Sequence, residues 1–138
     1  MKSGTTPIRR ALISVSDKTN LEDLGKFLEG LGVELVSTGG TARYLKKVGL
    51  KVKEVSDITG FPEILNGRVK TLHPKVHAPI LFDRDDTGSI KELRKMGSQA
   101  IDLVVVNLYP FETILNSRAP RKDIIDNIDI GGVALMRA

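Results

Sequence analysis

Cysteine is absent from this 138-residue sequence, and so is tryptophan. Without thiols there is no disulfide framework, no thiolate nucleophile and no thiolate metal site. Aromatic residues make up only 4%, too few for the stacking surfaces of a protein that holds single-stranded nucleic acid. A large excess of one charge is missing too: 21 Lys and Arg stand against 17 Asp and Glu, a formal net charge of +4. Acids and bases are mixed along the chain and no basic run exceeds a few residues. Nucleic-acid binding is therefore set aside, and a modest anion-attracting field is kept. Long hydrophobic runs are lacking as well. The longest apolar stretch, IDLVVVNLYPF from Ile101, is far too short to span a bilayer. The basic start MKSGTTPIRR is followed by no apolar signal-peptide core. A soluble cytoplasmic protein with no membrane partner is the expectation.

What is present alternates between strand and helix. Arg10–Ser16 is short, apolar and β-branched, and predicts a strand. Leu21, Leu24, Phe27, Leu28 and Leu31 then form one face of an amphipathic helix ended by Gly30 or Gly32. Val33–Ser37 predicts a second strand. Ala42, Leu45 and Val48 mark the inner face of a second helix stopped by Gly49, and Lys51–Val55 a third, more peripheral strand. From Ser56 to about Pro79 neither period holds, and so long a connection in a compact domain is more often functional than idle. Next come a surface helix over 87–96 with Ile90, Leu93 and Met96 inward, and a fully buried central strand over Ile101–Val106. A polar loop and a short helix around Ile124, Ile125 and Ile128 follow. Val133–Ala138 opens another helix with no cap or glycine, so the single domain over residues 1–138 is expected to be truncated at its C-terminal end. The alternation predicts an α/β, three-layer fold, a mostly parallel sheet flanked by helices. In such sheets ligands sit beyond the carboxyl ends of the strands.

The polar signatures fall at those ends. Ser14, Ser16, Asp17 and Lys18 place hydroxyls and an ammonium at a strand-to-helix turn, a phosphate cradle, although Asp17, Thr19 and Asn20 are equally helix-capping types. Thr38-Gly39-Gly40-Thr41 repeats the logic one strand over, where glycines let the backbone approach an anion. It is neither a Walker A loop nor G-x-G-x-x-G. Two such turns on neighbouring strands favour phosphate over mere connection. Arg68 and Lys70, with Val69 between them and Thr71 adjacent, converge on one ligand if the segment is extended; a solvated basic loop is the alternative. His73 and His77 are four apart, but Pro74 intervenes and no Glu or Cys partner is near, so no metal and no cofactor are predicted. Asn107 and Tyr109 bring an amide and a phenol to the mouth of the site, unless Tyr109 only packs. Asp129, before Gly131-Gly132, either orients a base or caps the next helix.

Together SVSDKTNL, STGGTARYL, VSDITGFPEILNGRVKTLHPKVHAPIL, VVVNLYPFE and IDIGGVALMRA resemble one family. It is the IMP cyclohydrolase part of the bifunctional purine-biosynthesis enzyme that also carries AICAR formyltransferase. The resemblance runs from about Arg10 to the last residue. It implies a methylglyoxal-synthase-like fold, closure of formyl-AICAR to IMP with loss of water, a purine nucleotide monophosphate as ligand, a homodimer, and a formyltransferase domain in the natural longer chain. It also implies that Ser16 to Lys18, Thr38 to Thr41 and Arg68 to Thr71 hold the nucleotide. Asn107, Asp129, Ile130 and Gly131 would contact the base, and Lys70, Tyr109 and Asp129 would handle protons. The family's helix after the Gly-Gly turn carries a further proton-transferring lysine, and the present sequence stops at Arg137-Ala138 before it. A binding module of the same fold, gripping a phosphate ligand without turnover, is the competing expectation.

Overall fold

The computed structural model describes residues 4–138. Four strands, β1 (Arg10–Ser14), β2 (Glu34–Ser37), β3 (Val52–Glu54) and β4 (Leu103–Val106), form one sheet in the order β3-β2-β1-β4. All three pairings are parallel, with Leu12 registered against Val36 on one side and Val104 on the other. Parallel neighbours need crossovers, and helices supply them. They are α1 (Leu21–Gly30), α2 (Gly39–Lys47), α3 (Val55–Thr59), α4 (Pro74–Leu81) and α5 (Thr87–Lys95), followed by α6 (Phe111–Asn116), α7 (Arg121–Asp126) and α8 (Gly131–Arg137).

The period-2 alternation of β1 divides the interior into two cores. Ala11 and Ile13 pack with Leu21, Leu28, Leu35 and Leu45 under α1 and α2. Leu12 faces the other way, toward Val36, Val55, Val76, Ile101 and Leu135 under α3, α4 and α8. This is the three-layer α/β arrangement. No helix among the described residues is long and apolar enough to cross a membrane.

Several local expectations are corrected. The apolar run ending in β4 is not a fully buried central strand: β4 is an edge strand among the described residues, and its four residues are half-buried. Helices cover its faces, and an all-apolar run reports covered faces rather than lateral position. Phe27 on α1 and Leu31 at its C-cap lie outward, 63% and 65% exposed, because the buried line runs through Leu21, Gly25 and Leu28. Gly25 permits the close approach: a Cβ there would sit 2.6 Å from Leu50 Cδ1 and 3.2 Å from Leu45 Cδ2. Gly25→Val is therefore expected to destabilise the fold by about 1–3 kcal/mol through overpacking. The check is a lower urea midpoint at unchanged m.

The aperiodic stretch from Ser56 to Pro79 contains α3, ended by left-handed Gly60, and the start of α4, with Pro74 at its first turn. α3 has only five residues, too few for a helical period to show. The expected polar loop after β4 holds α6, which buries none of its residues.

Candidate functional site

A cleft of about 530 Å³ opens at the carboxyl end of the sheet, within the ordinary range for a small-molecule site. Its first wall is the loop after β1, shaped by side chains from far along the chain. Asn107, just past β4, accepts the N–H groups of Ser16 (2.6 Å) and Asp17 (3.2 Å) and donates to the Asp17 carbonyl (2.9 Å). The buried Thr41 hydroxyl donates to the Val15 carbonyl at 2.9 Å and accepts the Val15 N–H at 3.1 Å. Ser14, Ser16 and Lys18 line the cleft. Lys18 Nζ donates to the carbonyls of Val15 and Ser16, both at 3.2 Å. Asp17 does not line it: its carboxylate accepts the N–H and hydroxyl of Thr19, and those bonds hold its pKa below the usual value. It does not cap α1 either: Asn20 stands at the N-cap and makes no side-chain cap hydrogen bond.

The second turn follows β2. Thr38, Gly40 and Thr41 line the cleft, and Gly39 is left-handed with φ +56°. Gly40 has room beside it, and a Cβ there would lie 3.8 Å from an Arg43 guanidinium nitrogen and 3.9 Å from Lys18 Nζ. A carboxylate of the chain itself is seated in this turn. Glu63 Oε1 accepts the Thr38 hydroxyl and, at 2.7 Å, the Gly39 N–H. Lys70 runs alongside: a Cβ on Gly39 would meet its Nζ at 2.7 Å, and one on Gly67 its Cε at 2.5 Å. Two bare glycines thus form the channel that aims this lysine.

The remaining wall comes from the Arg68–Leu72 segment, the end of β4 and the C-terminal helices. The Arg68 guanidinium donates to Asp126 of α7 through Nε (3.1 Å) and Nη2 (2.6 Å). Val69 lies outside the cleft, its backbone bridged to Ile64. Thr71 is buried against Gly131, where a Cβ would come within 2.9 Å of its hydroxyl. Asp129 caps α8 by accepting the Gly132 N–H at 2.7 Å, and its other oxygen lies 3.4 Å from the Tyr109 N–H. Ile130 and Gly131 complete the rim.

Four cations, Lys18, Arg68, Lys70 and Lys122, line this cleft with two carboxylates, Asp126 and Asp129. The excess favours an anionic ligand. Tyr109 also lines the cleft. Burial, then the carboxylates of Asp129 and Glu63, push its phenol above the usual value near 10, so it is a neutral hydrogen-bond donor across the physiological range. Asp129→Asn in a Tyr44→Phe background should bring the ultraviolet-monitored phenol midpoint down. An unmoved midpoint would exclude Asp129 as a cause.

The structure brings the predicted residues to one cleft, except Asp17, Gly39 and Val69, which flank it. Sequence reasoning missed Glu63, Gly67, Lys122 and Asp126. Glu63 and Gly67 lay inside a motif already singled out, and Lys122 and Asp126 are four apart, the spacing that shares a helix face. His73 caps α4 by accepting the Lys75 N–H at its Nδ1, 3.1 Å away. Among the described residues no three His, Asp or Glu side chains gather as a metal site.

Comparison with known proteins follows the same outline. A sequence model of the MGS-like domain matches residues 20–134. The bifunctional purine biosynthesis protein PurH of Elusimicrobium minutum is 58% identical over 133 residues, covering 95% of this chain and 26% of that protein. PurH of Dinoroseobacter shibae is 57% identical over 132 residues, covering 96% of this chain and 25% of that protein. The chain thus spans about a quarter of the length of these curated relatives. The crystal structure of ForH superposes with a TM-score of 0.76 at 35% identity, over 95% of this chain and 67% of that one.

Proposed function

The chain belongs to the MGS-like domain family, and from that premise we propose that it closes formyl-AICAR to IMP with loss of water, the IMP cyclohydrolase reaction of purine biosynthesis. One observation carries the reading: segments around residues 14–18, 38–41, 66–72, 107–109 and 129–132 converge on a single cationic cleft at the strand ends. The phosphate belongs at the two turns, where the N–H groups of Gly40 and Thr41 make no hydrogen bond among the described residues and Lys18 stands beside them. The base then extends toward Tyr109, Asp129 and the Ile130-Gly131 backbone.

The reaction joins the carboxamide nitrogen to the formyl carbon and breaks the formyl carbon–oxygen bond. One hydrogen leaves the carboxamide nitrogen and one the formamide nitrogen, and both depart with the oxygen as water. An amide nitrogen is a poor nucleophile, so the proton must move as the bond forms. In this reading the neutral phenol of Tyr109 donates toward the formyl oxygen, Lys70 handles the second proton, and Asp129 orients the heterocycle. A homodimer, and a formyltransferase domain fused to this one in a longer natural chain, belong to the same proposal; formyl transfer by the present chain does not.

Incubation of the chain with formyl-AICAR, with IMP followed by absorbance, is the direct test, and IMP formation above the uncatalysed rate is expected. One observation favours the second reading, a binding module: Asn107, Thr41 and Asp129 all spend hydrogen bonds on the fold itself. Tight binding of a purine nucleoside monophosphate without IMP formation would select it.

A further inference from the structure

The carboxylate of Glu63 occupies the turn in which a phosphate belongs. Its Oε1 accepts the Thr38 hydroxyl and the Gly39 N–H at 2.7 Å, the donors a glycine-rich turn offers an anion. We propose that Glu63 is a built-in competitor for the phosphate turn, and that a ligand's phosphate must displace it. The inference rests on the phosphate reading of this turn given above.

Three considerations support displacement over a permanent strut. The first is charge. A phosphate monoester carries up to two negative charges, and one seated at Gly40 beside a carboxylate on Gly39 would meet like-charge repulsion in a partly desolvated cleft. The second is the backbone that carries Glu63. Between Gly60 and Gly67, both left-handed, Leu65 and Asn66 also have positive φ, 54° and 56°. A bulky Leu there is strained, so the segment holds a conformation that its contacts must sustain. The third is how few those contacts are. Phe61, Ile64 and Leu65 are 53%, 38% and 64% exposed, and the antiparallel bridge from Ile64 to Val69 is isolated. The two hydrogen bonds of Glu63 are therefore a principal tether of this segment to the sheet.

Displacement also reaches the lysine. Lys70 Nζ lies beside Gly39 with the Glu63 carboxylate close to the same point. When Glu63 leaves, phosphate takes its place as the anion on the Gly39 side of Lys70, so phosphate occupancy and lysine environment are coupled.

The test compares wild type, Glu63→Gln and Glu63→Ala by calorimetric titration with inorganic phosphate, IMP and inosine. Both variants are expected to bind inorganic phosphate and IMP at least about tenfold more tightly, the change that removing one charge-assisted hydrogen-bonding competitor converts to. Inosine, which lacks the phosphate, should bind equally well to all three. Unchanged or weaker phosphate binding in folded variants would overturn the proposal and make Glu63 a fixed strut. Should the variants fail to fold, amide exchange of the wild type decides: saturating phosphate should speed exchange over residues 61–67, and slowed or unchanged exchange would overturn it. Tighter phosphate binding without any IMP binding would instead refute the nucleotide reading and leave this inference standing.

Discussion

Lys70→Ala should lower IMP formation by about 10²–10⁴-fold, the contribution typical of a positioned acid–base group, while nucleotide affinity falls by much less. The expectation follows from how the chain places this lysine. Gly39 and Gly67 leave it a channel that any Cβ would obstruct, at 2.7 Å from its Nζ and 2.5 Å from its Cε. A side chain held only for its charge would not need such confinement, since Lys18, Arg68 and Lys122 also line the cleft. A loss confined to kcat would identify an interaction made in the transition state. A rise in KM with kcat intact would make Lys70 a phosphate ligand and transfer the proton-handling role to Tyr109 alone. Gly67→Ala offers a second route to the same test, because it disturbs the lysine without deleting its charge. Its positive φ of 78° adds backbone strain, so folding is checked alongside.

How much of this was legible beforehand divides along the range of the interactions. β1 and β2 were readable because apolar, β-branched residues alternate or run together, and their polar ends followed directly. The lateral place of β4 was not, since pairing order is a property of the whole sheet and leaves no mark on the strand itself. The cationic character of the site was readable in Lys18, Arg68 and Lys70. The duties of its polar groups were not. Asn107 acts on Ser16 across 91 positions, and Glu63 on Gly39 across 24, so neither partnership leaves a local pattern. Ile125, Ile128 and Ile130 are 52%, 55% and 61% exposed and line the open cleft, where a heterocycle has apolar surface to cover.

The division of duties also explains why the site and the core are not separable. Ser14 is both the last residue of β1 and part of the cleft wall. The loop beyond it is clipped by Asn107 from just past β4 and by Thr41 from α2. The cleft surface is therefore only as well placed as the three strands whose ends it joins.

Leu12→Ala is accordingly expected to cost about 2–5 kcal/mol, the range for truncating a fully buried leucine. Leu12 is 0% exposed on the interior strand, registered between Val36 and Val104, and packs in the cluster that joins Val76 and Ile101 to Leu135 of α8. Relaxation is hindered because strands flank it on both sides and helices cover it, so the cavity should persist. Val104→Ala, on the half-buried edge strand, removes less apolar volume from a place that can relax toward solvent, and should cost distinctly less. Urea midpoints at constant m give both numbers. Equal losses would mean that β4 is as enclosed as β1, contrary to the sheet order. A loss at Leu12 of this size is a large part of a typical total stability of about 5–15 kcal/mol. It should therefore loosen the Ser14–Lys18 loop and weaken nucleotide binding, although Leu12 does not line the cleft.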